Sequence, residues 1–366
     1  MGEVFFLCPR STEGTPETYN MKIGFTYDLR SDWAWHDDDP HDANAEFDKP
    51  ETIAQIVAAL ESGGHDVVKI GNVDNLLKQL PGLQADIVFN ICEGKDGRNR
   101  ESQVPILLEM NRMPFVGSDA LTLGLTLDKT LAKKCFVADG ISTPRFFLAD
   151  NPRDFILPKG MTYPLIVKTA YEGTSKGLTD QSRVDDLNAL IRQVELIAQK
   201  YHQPALVEEF IRGTEFTVAV LGNNENVEAM PVVQVCIDGK TALGDLFYTH
   251  EYVTSSKLRY FCPAKISADL ENQLRAMAIQ AYRSVGCLDF GRVDFRVDEK
   301  GQPFVLEINP LPCLGKDDIF NVFPQVIGST YDRVINRILD IALARYGLAQ
   351  NETTASRRDQ GVAAAS

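Results

Sequence analysis

Along the chain the period of the apolar positions changes repeatedly, and each change marks an element. Residues 22–27 read as a short buried strand, and 51–62 place Ile53, Ile56, Val57 and Leu60 at helical spacing before Gly63 and Gly64 stop the run. A strand at 66–70, a short helix at 73–80, a strand at 86–90 and a helix at 104–111 follow. This alternation predicts a small parallel sheet with covering helices, its ligand edge at the C-terminal ends of the strands. Farther on, a strand runs up to Lys168, a helix is expected over 183–199, and two strands flank Arg212 and Gly213. Strands occupy 228–237, a long amphipathic helix over 267–285 ends at Gly286, and 317–320 reads as a short turn. A last helix over 330–346 carries Tyr331, Val334, Ile335, Ile338, Leu339 and Ala342 at helical spacing. Residues 1–20, which end in the polar run STEGTPETYN, read as a flexible leader and 349–366 as a disordered tail.

The pattern is most informative over 289–310. Phe290–Asp298 and 302–308 are rich in β-branched and aromatic residues and flank Glu299-Lys300-Gly301, a hairpin signature. A four-residue turn sets Asp294 opposite Glu307 and Arg292 opposite Asn309, all on one face. Two carboxylates facing each other across roughly 5 Å repel unless positive charge lies between them. The all-oxygen set Asp294, Glu307 and Asn309 suits a hard divalent ion, Mg²⁺ first and Mn²⁺ second. Arg292 would then lie where phosphoryl or oxyanion charge develops. Spacing alone leaves an amphipathic hairpin with a solvated acidic face as an equal alternative.

Three loops carry further candidates. Residues 164–178, PLIVKTAYEGTSKGL, lead from a strand ending in Lys168 into a loop with Gly173, Thr174, Ser175 and Gly177. Glycines let backbone N–H groups approach phosphates, although the order is not that of a Walker A loop. The loop after Asn90 holds Arg98 and Arg100, which either bind a substrate carboxylate or are incidental surface charge. Between the first strand and helix, His36 and His41 with an aspartate suggest a metal site, but a solvated loop is the favoured reading. Trp33 and Trp35 in the same stretch suggest a lid over the active site.

Composition narrows the class. A chain of 366 residues with 44% hydrophobic and 24% charged residues has room for two or three subdomains. A net charge of −14 argues against a nucleic-acid partner and leaves a small substrate. Seven scattered cysteines without a CxxC read as reduced thiols in a cytoplasmic protein, and no apolar run approaches a membrane span.

The string GRVDFRVD followed by LEINP resembles the metal-binding end of the ATP-grasp ligases, particularly the D-alanine:D-alanine ligase family. The segment from Pro114 through Lys129 to Arg145 resembles that family's entry into the ATP-grasp region, and 164–178 its phosphate lid, with Thr174 where a serine is usual. The resemblance spans about residues 21–347 and implies an ATP-grasp fold of mixed α/β and α+β class. It implies an N-terminal parallel-sheet domain over 21–125, a central subdomain over 126–222 and a C-terminal subdomain with the metal site over 223–348. It assigns Mg²⁺ to Asp294, Glu307 and Asn309, and transition-state charge to Arg292 with the lid hydroxyls of Thr174 and Ser175. ATP would meet Lys129, Lys168, Glu172, Gly173 and Gly177 at its phosphates, Glu208 and the backbone of Phe210 and Ile211 at adenine, and Glu215 at ribose. A homodimer is expected because the family commonly forms one.

The substrate motifs depart from the family. Its Gly-rich opening with a substrate-orienting glutamate is replaced by residues 27–32, and its Lys-Tyr pair is absent around His250, Glu251, Tyr252 and Val253. Its carboxylate-binding serine region reads Pro310 to Asp318. The implied activity is an ATP-dependent carboxylate–amine ligase working through an acyl phosphate on small substrates, amino acids or a dipeptide, with an altered substrate site. The alternatives are a true D-alanine:D-alanine ligase and a non-catalytic ATP-binding protein.

Overall fold

The N-terminal alternation of strands and helices builds a four-stranded parallel sheet in the order Asp66–Gly71, Lys22–Tyr27, Ile87–Ile91, Phe115–Val116. The computed structural model describes residues 20–349 apart from Arg153, Thr254, Lys316 and Asp317. The expected leader up to residue 19 and the tail from residue 350 lie outside the described residues. One face of the sheet buries Ile23, Phe25, Ile87 and Phe89 under the helix Pro50–Ser62. The helix Tyr331–Arg345, from the far end of the chain, inserts Ile335, Ile338 and Leu339 into the same core. Each such aliphatic side chain contributes about 1.5–3 kcal/mol, so the end of the chain is bound to its beginning.

A second, antiparallel sheet runs Phe146–Ala149, Ala205–Glu209, Leu165–Thr169, Arg183–Val184, with the helix Leu187–Tyr201 packed on it. The helix expected from residue 183 starts at Leu187 because Arg183 and Val184 pair with Ile166 and Leu165. Asp186 then caps the helix by accepting from the Ala189 N–H.

The third sheet has six strands. Its path is Leu258–Phe261, Val233–Ile237, Gly213–Leu221, Phe290–Asp298, Pro303–Asn309, with Glu228–Ala229 also on Gly213–Leu221. The strands expected over 228–237 are Glu228–Ala229 and Val233–Ile237, separated at 230–232, where Pro231 has no N–H for a ladder. Behind the sheet, Phe136 from the helix Lys129–Ala138 and Leu274 and Ala278 from the helix Ala268–Ser284 pack on Val293, Phe295 and Val305. The turn expected at 317–320 includes a short 3₁₀ helix, Ile319–Asn321. The six cysteines among the described residues are free, and no described helix is long and apolar enough to cross a membrane.

Candidate active site

Alternation along Phe290–Asp298 buries Val293 and Phe295 and turns Arg292, Asp294 and Arg296 towards a cavity of about 330 Å³. Asp294 lies opposite Glu307 and Arg292 opposite Asn309, the expected register. It arises differently. The turn closes over three residues, with the Gly301 N–H on the Asp298 carbonyl, and a shift at Asp294/Phe295 skips Leu306. The bulge restores the frame that a four-residue turn would have given.

Positive charge flanks the two carboxylates. Arg292 forks onto Asp294, Nε to Oδ1 at 3.0 Å and Nη2 to Oδ2 at 2.9 Å, and reaches Asp318 at 3.2 Å. Asn309 Nδ2 donates to Asp294 at 3.1 Å, and Lys129 Nζ lies 3.6 Å from Glu307. Burial would raise the Glu307 pKa, but Lys129, Lys168 and Arg292 together hold it below the usual carboxylate range. Asp294, Glu307 and Asn309 thus form a charged oxygen face at one wall of the cavity, a donor set that fits a hard cation.

Lys168, near the end of Leu165–Thr169, pairs at 2.7 Å with Glu208 on the neighbouring strand. The other oxygen of Glu208 is 2.6 Å from Lys133, a residue the sequence reading missed. Glu208 is 1% exposed, yet the two ammonium groups outweigh burial and hold its pKa at about 2. Its carboxylate is therefore occupied in positioning Lys168. Lys133 lies four residues after Lys129 on an otherwise apolar helix face beside Phe136, the one signal that could have found it.

Arg296 was also missed, although it shares the face of Arg292 and Asp294. It ion-pairs with Glu215 and donates to the carbonyls of Ile211 (2.7 Å), Gly244 (2.8 Å) and Leu246 (2.8 Å). Its guanidinium lies 5.0 Å from the Phe210 ring centroid. Phe210, Ile211 and Glu215 are thereby fixed along one side of the cavity.

The glycine loop is held in an unusual shape. Thr174 and Ser175 adopt successive left-handed conformations, φ 46° and 54°, which cost about 1–3 kcal/mol each for non-glycine residues. Gly177 has φ 78°, and a Cβ there would meet Thr169 at 2.9 Å. Two acids from the stretch 31–48 clamp this loop. Asp42 accepts from the Gly177 N–H at 2.8 Å, and Glu46 accepts from the Gly173 N–H and pairs with Lys176 at 3.2 Å and Arg100 at 2.7 Å. Burial would raise Glu46, but Arg100, Lys176 and the Gly173 N–H hold it at about 2. Glu172 braces the loop from below through Lys176 (2.5 Å) and Gln203 (2.8 Å), and its carbonyl receives Lys129.

Other candidates fall elsewhere. Arg98 and Arg100 do not converge on one ligand, because Arg98 is exposed and held by Asp128 while Arg100 is buried on Glu46 and the Tyr171 carbonyl. The stretch 31–48 does cover the cavity, but through Ala45 to Asp48, whereas Trp33 packs on Phe47 and Trp35 is half-exposed. His36 contributes its backbone N–H to Asp39 and does not join His41.

Residues 153–340 match the family model described as D-ala D-ala ligase C-terminus. The uncharacterized protein y4sG of Sinorhizobium fredii is 36% identical over 299 residues, covering 80% of this chain and 87% of that protein. A D-alanine–D-alanine ligase of Bordetella petrii is 30% identical over 288 residues, covering 78% and 85%. The crystal structure of the D-alanine–D-alanine ligase from Bacillus anthracis complexed with ATP superposes with a TM-score of 0.69 at 20% identity, over 89% of this chain and 99% of that one. That likeness establishes the ATP-grasp fold.

Proposed function

Because this chain belongs to the D-alanine–D-alanine ligase family of ATP-dependent C–N ligases, we propose that it joins a small carboxylic acid to an amine that carries its positive charge into an acidic subsite. The observation that carries the reading is the pairing pattern of acids around one cavity. Glu208, Glu215, Asp294, Glu307 and Asp318 each have a lysine or arginine partner. Asp48, Glu93 and Glu101, which line the same cavity, have no ion-pair partner among the described residues. Burial raises Asp48 to about 7 with help from Asp28 against Arg30, and raises Glu101 to about 7 with help from Glu46 against Arg100. Glu93 is pushed up as well, by burial and by Glu101. Buried carboxylates without a close ion-pair partner attract an ammonium group.

The nucleotide would lie between Lys168 with Lys129 at its phosphates and the Phe210, Ile211 and Glu215 wall at its base and sugar, under the glycine loop of Gly173, Thr174, Ser175 and Gly177. Mg²⁺ fits the oxygen face of Asp294, Glu307 and Asn309, and when bound it would neutralise phosphate charge. A substrate carboxylate oxygen attacks the γ-phosphorus, ADP leaves, and an acyl phosphate results. Lys129, Lys168 and Arg292 face the charge that builds up on the phosphoryl oxygens. The amine then attacks the acyl carbon, phosphate leaves, and the amine proton passes to one of the near-neutral carboxylates of the acidic subsite. A base with a pKa of about 7 suits that transfer. Asp318 supports an acceptor unlike the family's, because an acid stands in the stretch where those ligases place a carboxylate-binding serine.

Phosphate release from Mg-ATP over pairs of amino acids, diamines and dipeptides, with mass spectrometry of the products, tests this directly. Release should require an amine-bearing partner and should fall as pH drops through about 7, where the acidic subsite protonates. D-alanyl-D-alanine as the preferred product would return the enzyme to the ordinary family reaction, and no release with any pair would overturn the ligase reading.

A further inference from the structure

The stretch 31–48 brings a second set of potential ligands against the loop before Leu258–Phe261. His41, Asp42 and His250 each present a ligand atom, and these atoms lie within 4.8 Å of one another. The two imidazole rings meet edge to face with centroids 5.7 Å apart. Asp42 is 2% exposed, and its carboxylate is aimed by the Tyr201 hydroxyl (2.9 Å) and the Gly177 N–H (2.8 Å). His41 is exposed, so its ring can turn, while the Asp42 carboxylate stays fixed and His250 is partly buried.

We propose that His41, Asp42 and His250 bind a divalent transition-metal ion, with Zn²⁺ the best match. Two imidazole nitrogens and one carboxylate oxygen are a borderline donor set that favours Zn²⁺ or Co²⁺ over Mg²⁺. Bonds of about 2.0–2.1 Å place tetrahedral ligand atoms about 3.4 Å apart, a closure towards which the exposed His41 ring can turn. Tyr201 serves as the outer-shell partner that orients the carboxylate.

The position gives the ion a purpose. Asp42 already holds the glycine loop through Gly177, and Glu46, four residues on, holds it through Gly173. Adding His250 ties a third segment, His250–Val253, to the same clasp. The ion therefore joins the N-terminal stretch, the glycine loop and the C-terminal loop around the cavity, at a place separate from the Asp294, Glu307 and Asn309 face.

The test uses the full chain stripped with chelator and supplied with excess Mg²⁺ to fill oxygen-only sites. Co²⁺ is then titrated and the visible d–d absorption recorded. A single saturable equivalent with the intense bands of a four- or five-coordinate nitrogen-containing site is expected. His41→Ala and His250→Ala should abolish the bands, His36→Ala should keep them, and Tyr201→Phe should weaken binding about 10–100-fold. Zn²⁺ should raise the melting temperature of the unsubstituted protein and of His36→Ala but not of His41→Ala, whose exposed side chain can be removed without disturbing the core. Absence of the bands in the unsubstituted protein, or their persistence in His250→Ala, would overturn the proposal, and neither result depends on turnover.

Discussion

At the scale of single residues, the cavity is governed by which charges are paired. Glu208 is buried between Lys133 and Lys168, so removing either lysine leaves a carboxylate with half its compensation. Lys133→Met should lower stability by about 3 kcal/mol, since a broken buried pair typically costs 3–5 kcal/mol. It should also weaken nucleotide binding, because Lys168 would be drawn towards the uncompensated carboxylate. Thermal unfolding together with nucleotide titration checks both effects, and unchanged nucleotide affinity would rule out the positioning role. Lys168 was legible from its strand and the glycines that follow. Lys133 and Arg296 were not, because their meaning lies in partners such as Glu215, 81 residues away from Arg296 in the chain. No local pattern announces such a pair.

At the scale of elements, the hairpin and the glycine loop behave differently. The hairpin face was readable because strand alternation is local and the turn residues sit beside it. Its bulge was not readable, yet the register at Asp294 and Glu307 came out the same. The glycine loop owes its shape to distant acids: Glu46 binds the Gly173 N–H from 127 residues away, and Asp42 binds the Gly177 N–H from 135. Glu46→Gln removes the negative charge shared by Arg100 and Lys176. Hydrogen exchange in the loop over 172–178 should then accelerate about tenfold, corresponding to about 1.4 kcal/mol of lost closure. Unchanged exchange there would mean that Asp42, Glu172 and Gln203 hold the loop without the charge of Glu46.

At the scale of the whole molecule, one buried acid connects the parts. Asp289, immediately before the hairpin strand, is fully buried and receives Arg345 from the last helix at 2.7 Å. It also accepts from the Gly117 N–H, just after the last strand of the N-terminal sheet (2.8 Å), and from Asn223 (2.8 Å). Asp289→Asn should destabilise the protein by about 3 kcal/mol, since Arg345 loses its buried counter-charge. A denaturant midpoint indistinguishable from that of the unsubstituted protein would show that the junction is held by apolar packing alone. The sequence by itself determined the strand–helix alternation over 22–111, the face of the hairpin and the lysine strand with its glycine loop, because period and turn chemistry act over a few neighbouring residues. Tertiary structure alone decided which acids are neutralised and which remain available, and which distant loops meet over the cavity. Coulomb energy and desolvation depend on distance and burial in space, and neither quantity is encoded in any short stretch of chain.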